Sequence, residues 1–260
     1  MGLRAKNYYR ATSLEDAYIK LNENPKNAIV AGGLWMKKTG LQYDTLIDLA
    51  DLKLDRIYEQ GDKIHVGAMV SLRDFETSPI INKLFSGATA FAVREIMGPA
   101  FRNGATIGGS IYGRYPFSDV IAGLLPLDVK VKLYPEQEMT LEEFLSVKGK
   151  IPGILEEIII KKEDGKGYFK KVKATPLDFP MINFSIVKRS GKNYIAIGSR
   201  PMVASLARKA MEVADKGNFE EAGNIAAEEL SYLDSSNISK EYRQDLVRVY
   251  VRRGLEEVNK

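Results

Sequence analysis

The 260-residue sequence contains no cysteine, one histidine and one tryptophan. The absence of cysteine excludes disulfides, a thiolate nucleophile and any iron–sulfur cluster ligated by this chain. The single histidine, His65, lies in a strand-like alternation, where we expect a structural or solvated side chain facing outward. A histidine-based metal site would need a second histidine. Any redox chemistry therefore has to come from an organic cofactor that the chain binds and orients.

Long apolar runs and a one-sided charge distribution are also missing. No stretch approaches the roughly 18 apolar residues of a transmembrane helix, and the first ten residues lack the apolar core of a secretory signal. The formal net charge is +4, and lysine and arginine alternate with acidic residues, which gives no basic stripe for nucleic acid. We expect a cytoplasmic protein with no membrane span and no nucleic-acid partner.

Two glycine turns are the most informative features that are present. Residues 30–35 read VAGGLW and residues 105–110 read ATIGGS. Each Gly-Gly step allows the backbone to take positive φ and to direct its N–H groups toward one point. Two such nests can clamp one pyrophosphate. For either turn alone, a plain tight bend is the alternative.

The pattern along the chain predicts three packing units, over residues 1–55, 56–150 and 151–260. In the first unit a capping box begins at Ser13, and a short strand at 28–30 enters the first glycine turn before a helix starts near Leu34. This order directs free N–H groups and a helix dipole at a phosphate. The second unit has a hairpin near Gly61, a capping box at Ser71 and the second glycine turn.

Strands followed by helices are predicted for the third unit, so the fold class is α+β. A long helix is also predicted in the second unit, ending before Gly98-Pro99. The predicted ranges are 80–97 for that helix, 155–160, 168–172, 182–187 and 194–197 for the third unit's strands, and 203–216, 219–230 and 239–258 for its helices.

The segment FRNGATIGGS at 101–110, followed by PFSD at 116–119, resembles the RN-x-x-T-[IL]-G-G-N segment of the FAD-binding medium subunits of the molybdenum hydroxylases. That family includes xanthine dehydrogenase and carbon monoxide dehydrogenase. The resemblance continues in GAMVS at 67–71 and in the late helix SKEYRQDLVRVYVRRGL at 239–255. It implies a two-part α/β FAD-binding domain followed by an antiparallel sheet with helices.

Three departures from the family pattern stand out. Leu34 and Trp35 occupy places where the family has a small polar residue and an aspartate, so a side-chain contact there is in doubt and Trp35 packs on the cofactor or the core. Ser110 replaces the common asparagine, and its hydroxyl can still hydrogen-bond locally. Ala174 stands in place of an arginine between Lys170 and Asp178.

The resemblance implies FAD as the cofactor, with its pyrophosphate held from two sides, chiefly by main chain. The residues it assigns are Val30, Ala31, Gly32, Gly33, Leu34, Trp35 and Met36 in the first turn, and Thr106, Ile107, Gly108, Gly109 and Ser110 in the second.

Four further residues receive roles from the resemblance. Asp119 accepts a hydrogen bond from a cofactor hydroxyl, or is the N-cap of the next helix. Leu155 lies beside the isoalloxazine with its backbone. Lys170 approaches the flavin edge, or is a surface lysine. Ile96 contacts the ring or adenine, or belongs to the core.

The function implied is electron relay. In the family, electrons pass from a molybdopterin-binding large subunit through an iron–sulfur small subunit to FAD, and on to an acceptor such as NAD. No catalytic residue is assigned in this chain, and no substrate hydroxylation is expected without partners. Two rivals remain: a self-sufficient FAD-dependent oxidase or reductase, and a scaffold that kept the fold without the cofactor.

Overall fold

A computed structural model describes residues 2–151, 153–236 and 238–260. Within these residues the strands form three sheets, of three, five and four strands. No helix in this part of the chain is both long and apolar enough to cross a bilayer.

The first unit is a small parallel sheet with one packed helix. Ser13 caps the helix as predicted, because its side chain accepts a hydrogen bond from the Asp16 amide at 3.0 Å. The strand order is β1-β3-β2, and β2 ends directly before the first glycine turn. The elements are β1 Arg4–Arg10, α1 Leu14–Asn22, β2 Ala28–Val30, α2 Met36–Thr39 and β3 Gln42–Asp48.

The second unit is an antiparallel five-stranded sheet, and its inner face packs on a group of short helices. Ser71 caps the first of these helices, as predicted. The elements are β4 Ile57–Gln60, β5 Lys63–Gly67, α3 Leu72–Thr77, α4 Pro79–Lys83, α5 Ala88–Arg94, α6 Pro99–Gly104, α7 Ile107–Tyr112, α8 Asp119–Leu124, β6 Val129–Tyr134, β7 Gln137–Thr140, α9 Leu141–Ser146 and β8 Ile154–Lys161. The strand order is β4-β5-β8-β6-β7.

Strand β8 corrects one prediction. It was expected to open the C-terminal unit, but it pairs with β5 and β6 in the middle of the second sheet. Its inward residues Ile158 and Ile160 are fully buried among the second unit's helices. An apolar run predicts a strand without naming its partner, and chain proximity misled the assignment. The boundary expected after residue 150, between the second and third units, would therefore separate β8 from the sheet in which it is the central strand. We propose that the boundary lies after Lys161.

The predicted helix over 80–97 is broken. A 3₁₀ turn at Leu84–Gly87 separates α4 from α5, and Phe85 and Ser86 take positive φ there. The turn directs Phe85 inward, where it is 2% exposed. Helix α5 also ends at Arg94, before the expected stop, and the residues up to Gly98 leave the helix.

The C-terminal unit is an antiparallel sheet, order β12-β11-β10-β9, with helices packed on one face. The long helix α12 begins at the Ser239 cap, as predicted. The first helix starts at Arg208 rather than near residue 203. The elements are β9 Gly165–Val172, β10 Ile182–Arg189, β11 Lys192–Gly198, β12 Ser205–Leu206, α10 Arg208–Ala214, α11 Phe219–Glu229 and α12 Lys240–Val258. The α+β class is thus confirmed.

Candidate functional site

A cavity of about 650 Å³ lies where the three units meet. The first glycine turn, the second glycine segment, the start of β8 and a loop that follows β9 all contribute to its wall. The main lining segments are 31–36, 95–97, 105–106, 108–110, 117–120, 153–155 and 177–180. Most residues that the sequence assigned to the cofactor site are therefore brought together.

The first glycine turn presents free amides to this cavity. Among the described residues, the N–H groups of Gly32, Gly33, Leu34 and Trp35 have no hydrogen-bond partner. Gly33 has φ of 62°, which a side chain rarely tolerates. A row of unpaired amides at the end of a parallel strand is a binding site for an anionic group.

Gly32 is required for a different reason from the one predicted. Its φ is not positive. A Cβ atom at this position would lie 1.5 Å from the carbonyl oxygen of Gly104. The absence of a side chain lets the first turn pack directly against the end of α6, which joins the first two units at the cavity.

The second glycine segment is a helix start rather than a nest. Thr106 is the N-cap of α7, and its side-chain oxygen accepts from the Gly109 amide at 3.1 Å. The Ser110 amide bonds the Thr106 carbonyl at 3.0 Å, and the Ser110 hydroxyl donates to the same carbonyl at 2.8 Å. Neither glycine has positive φ. The local hydrogen bonding expected of Ser110 is confirmed.

Two further amides of this segment are also used within the chain. Ile107 N–H donates to Val70 and Gly108 N–H to Ala68, both at 2.9 Å. A Cβ on Gly108 would lie 2.6 Å from the backbone oxygen of Ala68, the residue that follows β5. This close packing explains why position 108 is a glycine. The segment offers a narrow wall of small residues. Among the described residues, the Thr106 amide is the one N–H of this segment without a hydrogen-bond partner, so the predicted main-chain clamp has a row of free donors on its first side and a single one on its second.

Asp119 is a buried carboxylate in the cavity wall. The helix N-cap is its neighbour Ser118, whose hydroxyl accepts from the Ile121 amide at 3.2 Å, so the N-cap alternative for Asp119 is wrong. Its Oδ2 accepts from Lys171 Nζ and its Oδ1 from Asn183 Nδ2, each at 2.8 Å. Burial raises the pKa of the Asp119 carboxyl, although both partners favour its charged form.

The lysine beside this carboxylate is Lys171. For Lys170, expected at the flavin edge or as a surface lysine, the structure matches the surface alternative. Lys170 is exposed on β9 and its Nζ lies 5.8 Å from the ring centre of Tyr250 on α12. Successive strand residues face opposite sides, so a shift of one residue exchanges a surface lysine for a buried one. The alternation around buried Phe169 was the signal that identifies Lys171.

The other predicted residues divide into wall and core. Ala31, Met36, Ile96 and Leu155 line the cavity. The two predicted residues that lie in the core behind the wall are Val30 and Ile107, which are 9% and 0% exposed.

Sequence reasoning missed an aromatic cluster in the wall. The Trp35 ring centre lies 4.9 Å from Tyr115 and 5.0 Å from Phe117. Phe179, from the loop after β9, lies 4.3 Å from Phe117 and 6.0 Å from Trp35. Trp35 of the first unit thus packs on aromatic side chains from the second and third units, which its sequence neighbours did not indicate.

A family model described as "FAD binding domain in molybdopterin dehydrogenase" matches residues 4–161. The chain belongs to this family. The match runs from the first residue of β1 to the last of β8. It covers both units that carry the glycine segments, and it ends where β8 closes the second sheet.

Similar proteins include two FAD-binding subunits and one solved structure. A xanthine dehydrogenase FAD-binding subunit of Escherichia coli is 25% identical over 67% of this chain and 65% of its own length. A nicotinate dehydrogenase FAD-subunit of Eubacterium barkeri is 26% identical over 67% and 66%. The matched part therefore spans slightly less than two thirds of these relatives.

The solved structure is a chain of carbon monoxide dehydrogenase from Hydrogenophaga pseudoflava, with a TM-score of 0.89 and 22% identity. The similarity covers 99% of this chain and 98% of that one. It establishes that this member of the FAD-binding family shares the fold, including the C-terminal sheet that the family model leaves out.

Arg102, the arginine of the RN pair in the family's segment, is another residue to which the sequence analysis gave no role. It is 5% exposed. Its Nε donates to Glu76 at 2.8 Å, and its Nη1 donates to the carbonyls of Ile96 and Met97 at 3.1 and 3.3 Å. Arg102 therefore fixes the cavity segment that contains Ile96.

His65 lies away from the cavity of this FAD-binding domain. Of the two alternatives expected for it, a structural or a solvated side chain, the structural one holds, because His65 is 9% exposed. Its Nδ1 lies 3.0 Å from Glu157 Oε2, and its ring stacks on Tyr58 at 4.8 Å. Within the described residues, no group of three or more His, Asp or Glu side chains is arranged to hold a metal ion.

Proposed function

We propose that this chain binds FAD noncovalently in the cavity and acts as the electron-transfer subunit of a molybdenum hydroxylase-type dehydrogenase. The observation that carries the proposal is the row of unpaired amides at 32–35, in a cavity that also exposes the buried Asp119 and the start of β8. The residues present fit a long cofactor with an anionic centre.

Each part of the wall has a role in this proposal. The amides of the first turn hold the pyrophosphate, and small residues 108–110 leave room beside it. Asp119 accepts from a hydroxyl of the cofactor while Lys171 and Asn183 hold its carboxylate in place. Leu155 lies along the ring. When bound, FAD would supply the redox chemistry: it would take up two electrons from the donor and pass them to an acceptor.

Noncovalent binding follows from the side chains available. The sequence has no cysteine, and His65 is buried in its contact with Glu157. Neither of the two side chains that form common covalent flavin links is therefore available at the cavity. This disfavours the self-sufficient flavoenzyme that remained as a rival.

The partners in the proposal are an iron–sulfur small subunit and a molybdopterin-binding large subunit, with NAD or another acceptor downstream. The family membership supports them. The complex is proposed to work in the cytoplasm. The sequence has no cysteine to ligate an iron–sulfur cluster, and the proposal therefore has the electrons arrive from a docked donor.

FAD titration of the purified chain tests the cofactor site. We expect the visible absorbance of bound flavin with the wild type. Gly33→Ala should weaken FAD binding about tenfold, a loss of about 1.4 kcal/mol, because φ of 62° becomes strained and the amides turn away.

Gly40→Ala is the matched control. Gly40 has a similar φ of 69° and no atom within 4 Å of an added Cβ, and it does not line the cavity. It should lose similar stability and keep FAD affinity. Equal affinity in both variants would show that the turn does not hold the cofactor, and no flavin binding by the wild type would favour the cofactor-free scaffold.

Purification from the native host tests the subunit proposal. The chain should co-purify with a small cysteine-rich chain and a large molybdenum-binding chain. A single-chain species that oxidises an organic substrate with oxygen or NAD would overturn it and restore the self-sufficient enzyme.

A further inference from the structure

Two loops from different units meet at one side of the cavity. The first is the segment 95–97, between α5 and α6, and the second is the loop 173–181 between β9 and β10. Glu95, Ile96 and Met97 line the cavity from the first, and Leu177 and Phe179 from the second. Both loops are therefore in a position to control how the cavity is covered.

One lysine connects these loops. Lys173 Nζ lies 2.8 Å from the carbonyl oxygen of Pro176 in its own loop, and 3.5 Å from the carbonyl oxygen of Glu95. Its distance to Glu95 Oε2 is 3.7 Å. The Lys173 side chain is 14% exposed and that of Glu95 is 47% exposed, so solvent screens the pair in part, from the Glu95 side.

Each side of the connection is itself fixed. Arg102 donates hydrogen bonds to the carbonyls of Ile96 and Met97, and these bonds fix the segment that contains Glu95. In the other loop the Thr175 amide donates to Asp178 Oδ2 at 3.1 Å, and the Asp178 amide donates to the Thr175 carbonyl at 3.2 Å. Lys173 therefore ties one organised loop to another.

The far end of the tied loop contacts the opposite wall. Phe179 packs on Phe117 and on Trp35 of the first turn, yet it is 51% exposed and Leu177 is 62% exposed. The loop thus reaches across the mouth with little burial of its own. A loop with few buried contacts opens readily, and its Lys173 attachment is the polar restraint that opposes opening.

We propose that Lys173 is a positioning residue that latches loop 173–181 to Glu95 and so slows the release of FAD. This inference rests on the proposed function, since it needs FAD in the cavity. It concerns this chain's own residues and assigns them to retention of the cofactor, separately from the amides that bind it.

The test measures FAD release from the loaded full-length chain after dilution, by the rise in flavin fluorescence. Lys173→Met keeps the apolar stem and removes the charge. It should speed release about fivefold, as expected for loss of a partly screened ion pair, and Glu95→Gln should speed it less because the Glu95 carbonyl remains. Lys173→Arg should restore slow release.

Two further measurements distinguish the proposed latch from a purely structural role of Lys173. The effects of Lys173→Met and Glu95→Gln should be non-additive in the double variant. Added salt should speed release from the wild type and leave the Lys173→Met variant unchanged. Lys130→Met, which breaks an exposed Lys–Glu pair of 2.7 Å away from the cavity, is the matched control and should release FAD like the wild type.

Release rates within twofold of the wild type for both Lys173→Met and Glu95→Gln would overturn the latch while leaving the FAD site intact. Additive effects with no salt dependence would also overturn it. Failure of every variant and the wild type to hold FAD would instead overturn the proposed function, and the latch with it.

Discussion

Replacing Lys171 by methionine tests the buried ion pair that joins the cavity wall to the C-terminal sheet. The Lys171 and Asp119 side chains are 2% and 5% exposed and 2.8 Å apart. Removing one partner of such a pair leaves the other charge buried and costs about 3–5 kcal/mol. We therefore expect Lys171→Met to unfold at clearly lower urea concentration than the wild type.

The loss should depend on pH in a definite direction. Burial already raises the pKa of Asp119, and Lys171 is the largest cause acting against it. Without Lys171 the folded-state pKa rises further above the unfolded value, about 3.9 for an aspartate. A group with a raised folded pKa contributes its full stability below the unfolded pKa and loses it as pH rises through the folded pKa. The deficit of the variant should be small near pH 4 and grow toward neutral pH.

Urea unfolding at several pH values measures this effect, with Lys130→Met as the exposed control that leaves the midpoint unchanged. The double variant Lys171→Met/Asp119→Leu should recover part of the stability, because well-packed apolar residues can replace a buried pair, while the buried Asn183 amide loses its acceptor. It should still bind FAD more weakly, since Asp119 faces the cavity. An unchanged midpoint for Lys171→Met at neutral pH would refute the reasoning.

Three other substitutions probe the same wall. Gly108→Ala places a Cβ 2.6 Å from the Ala68 oxygen and should lower the free energy of unfolding by about 3 kcal/mol. Gly109→Ala meets only the Thr106 hydroxyl, at 3.1 Å, and should keep stability while weakening FAD binding. Equal unfolding midpoints of the two variants would contradict this. Arg102→Met should cost about 3 kcal/mol by leaving a buried carboxylate and two carbonyls short of a donor, and a thermal scan that shows no loss would exclude that role.

Local features were predictable from the sequence because neighbouring residues decide them. Ser13, Ser71 and Ser239 each cap a helix at the predicted place, since the cap needs only a hydroxyl and an amide three residues on. The strand that enters the first glycine turn is likewise a local pattern. The same holds for the α+β class, which follows from the order of strands and helices.

Features that depend on distant contacts were not predictable. Nothing in residues 154–161 names β5 and β6 as their neighbours, and the break at Phe85 reflects its burial against the C-terminal sheet, where Gly167 lies close to it. The ion pair of Lys171 with Asp119 joins residues 52 positions apart in sequence, and a shift of one residue along a strand reverses the face of the side chain, so the sequence did not single out Lys171 beside the exposed Lys170. Gly32 and Gly108 were assigned to turns that hold the pyrophosphate, whereas the folded chain shows that both allow close packing of the backbone.

The placement of β8 sets the order in which the second sheet can assemble. Each outer pair, β4 with β5 and β6 with β7, joins strands that are neighbours in sequence, and such hairpins form quickly. The central strand is the last to leave the ribosome, and its pairing with β5 closes a loop from Gly67 to Glu157. Until Lys161 has emerged, both hairpins keep an open inner edge, which is a template for pairing with other chains. The interval between the synthesis of β5 and β8 is therefore when these two strand edges are exposed.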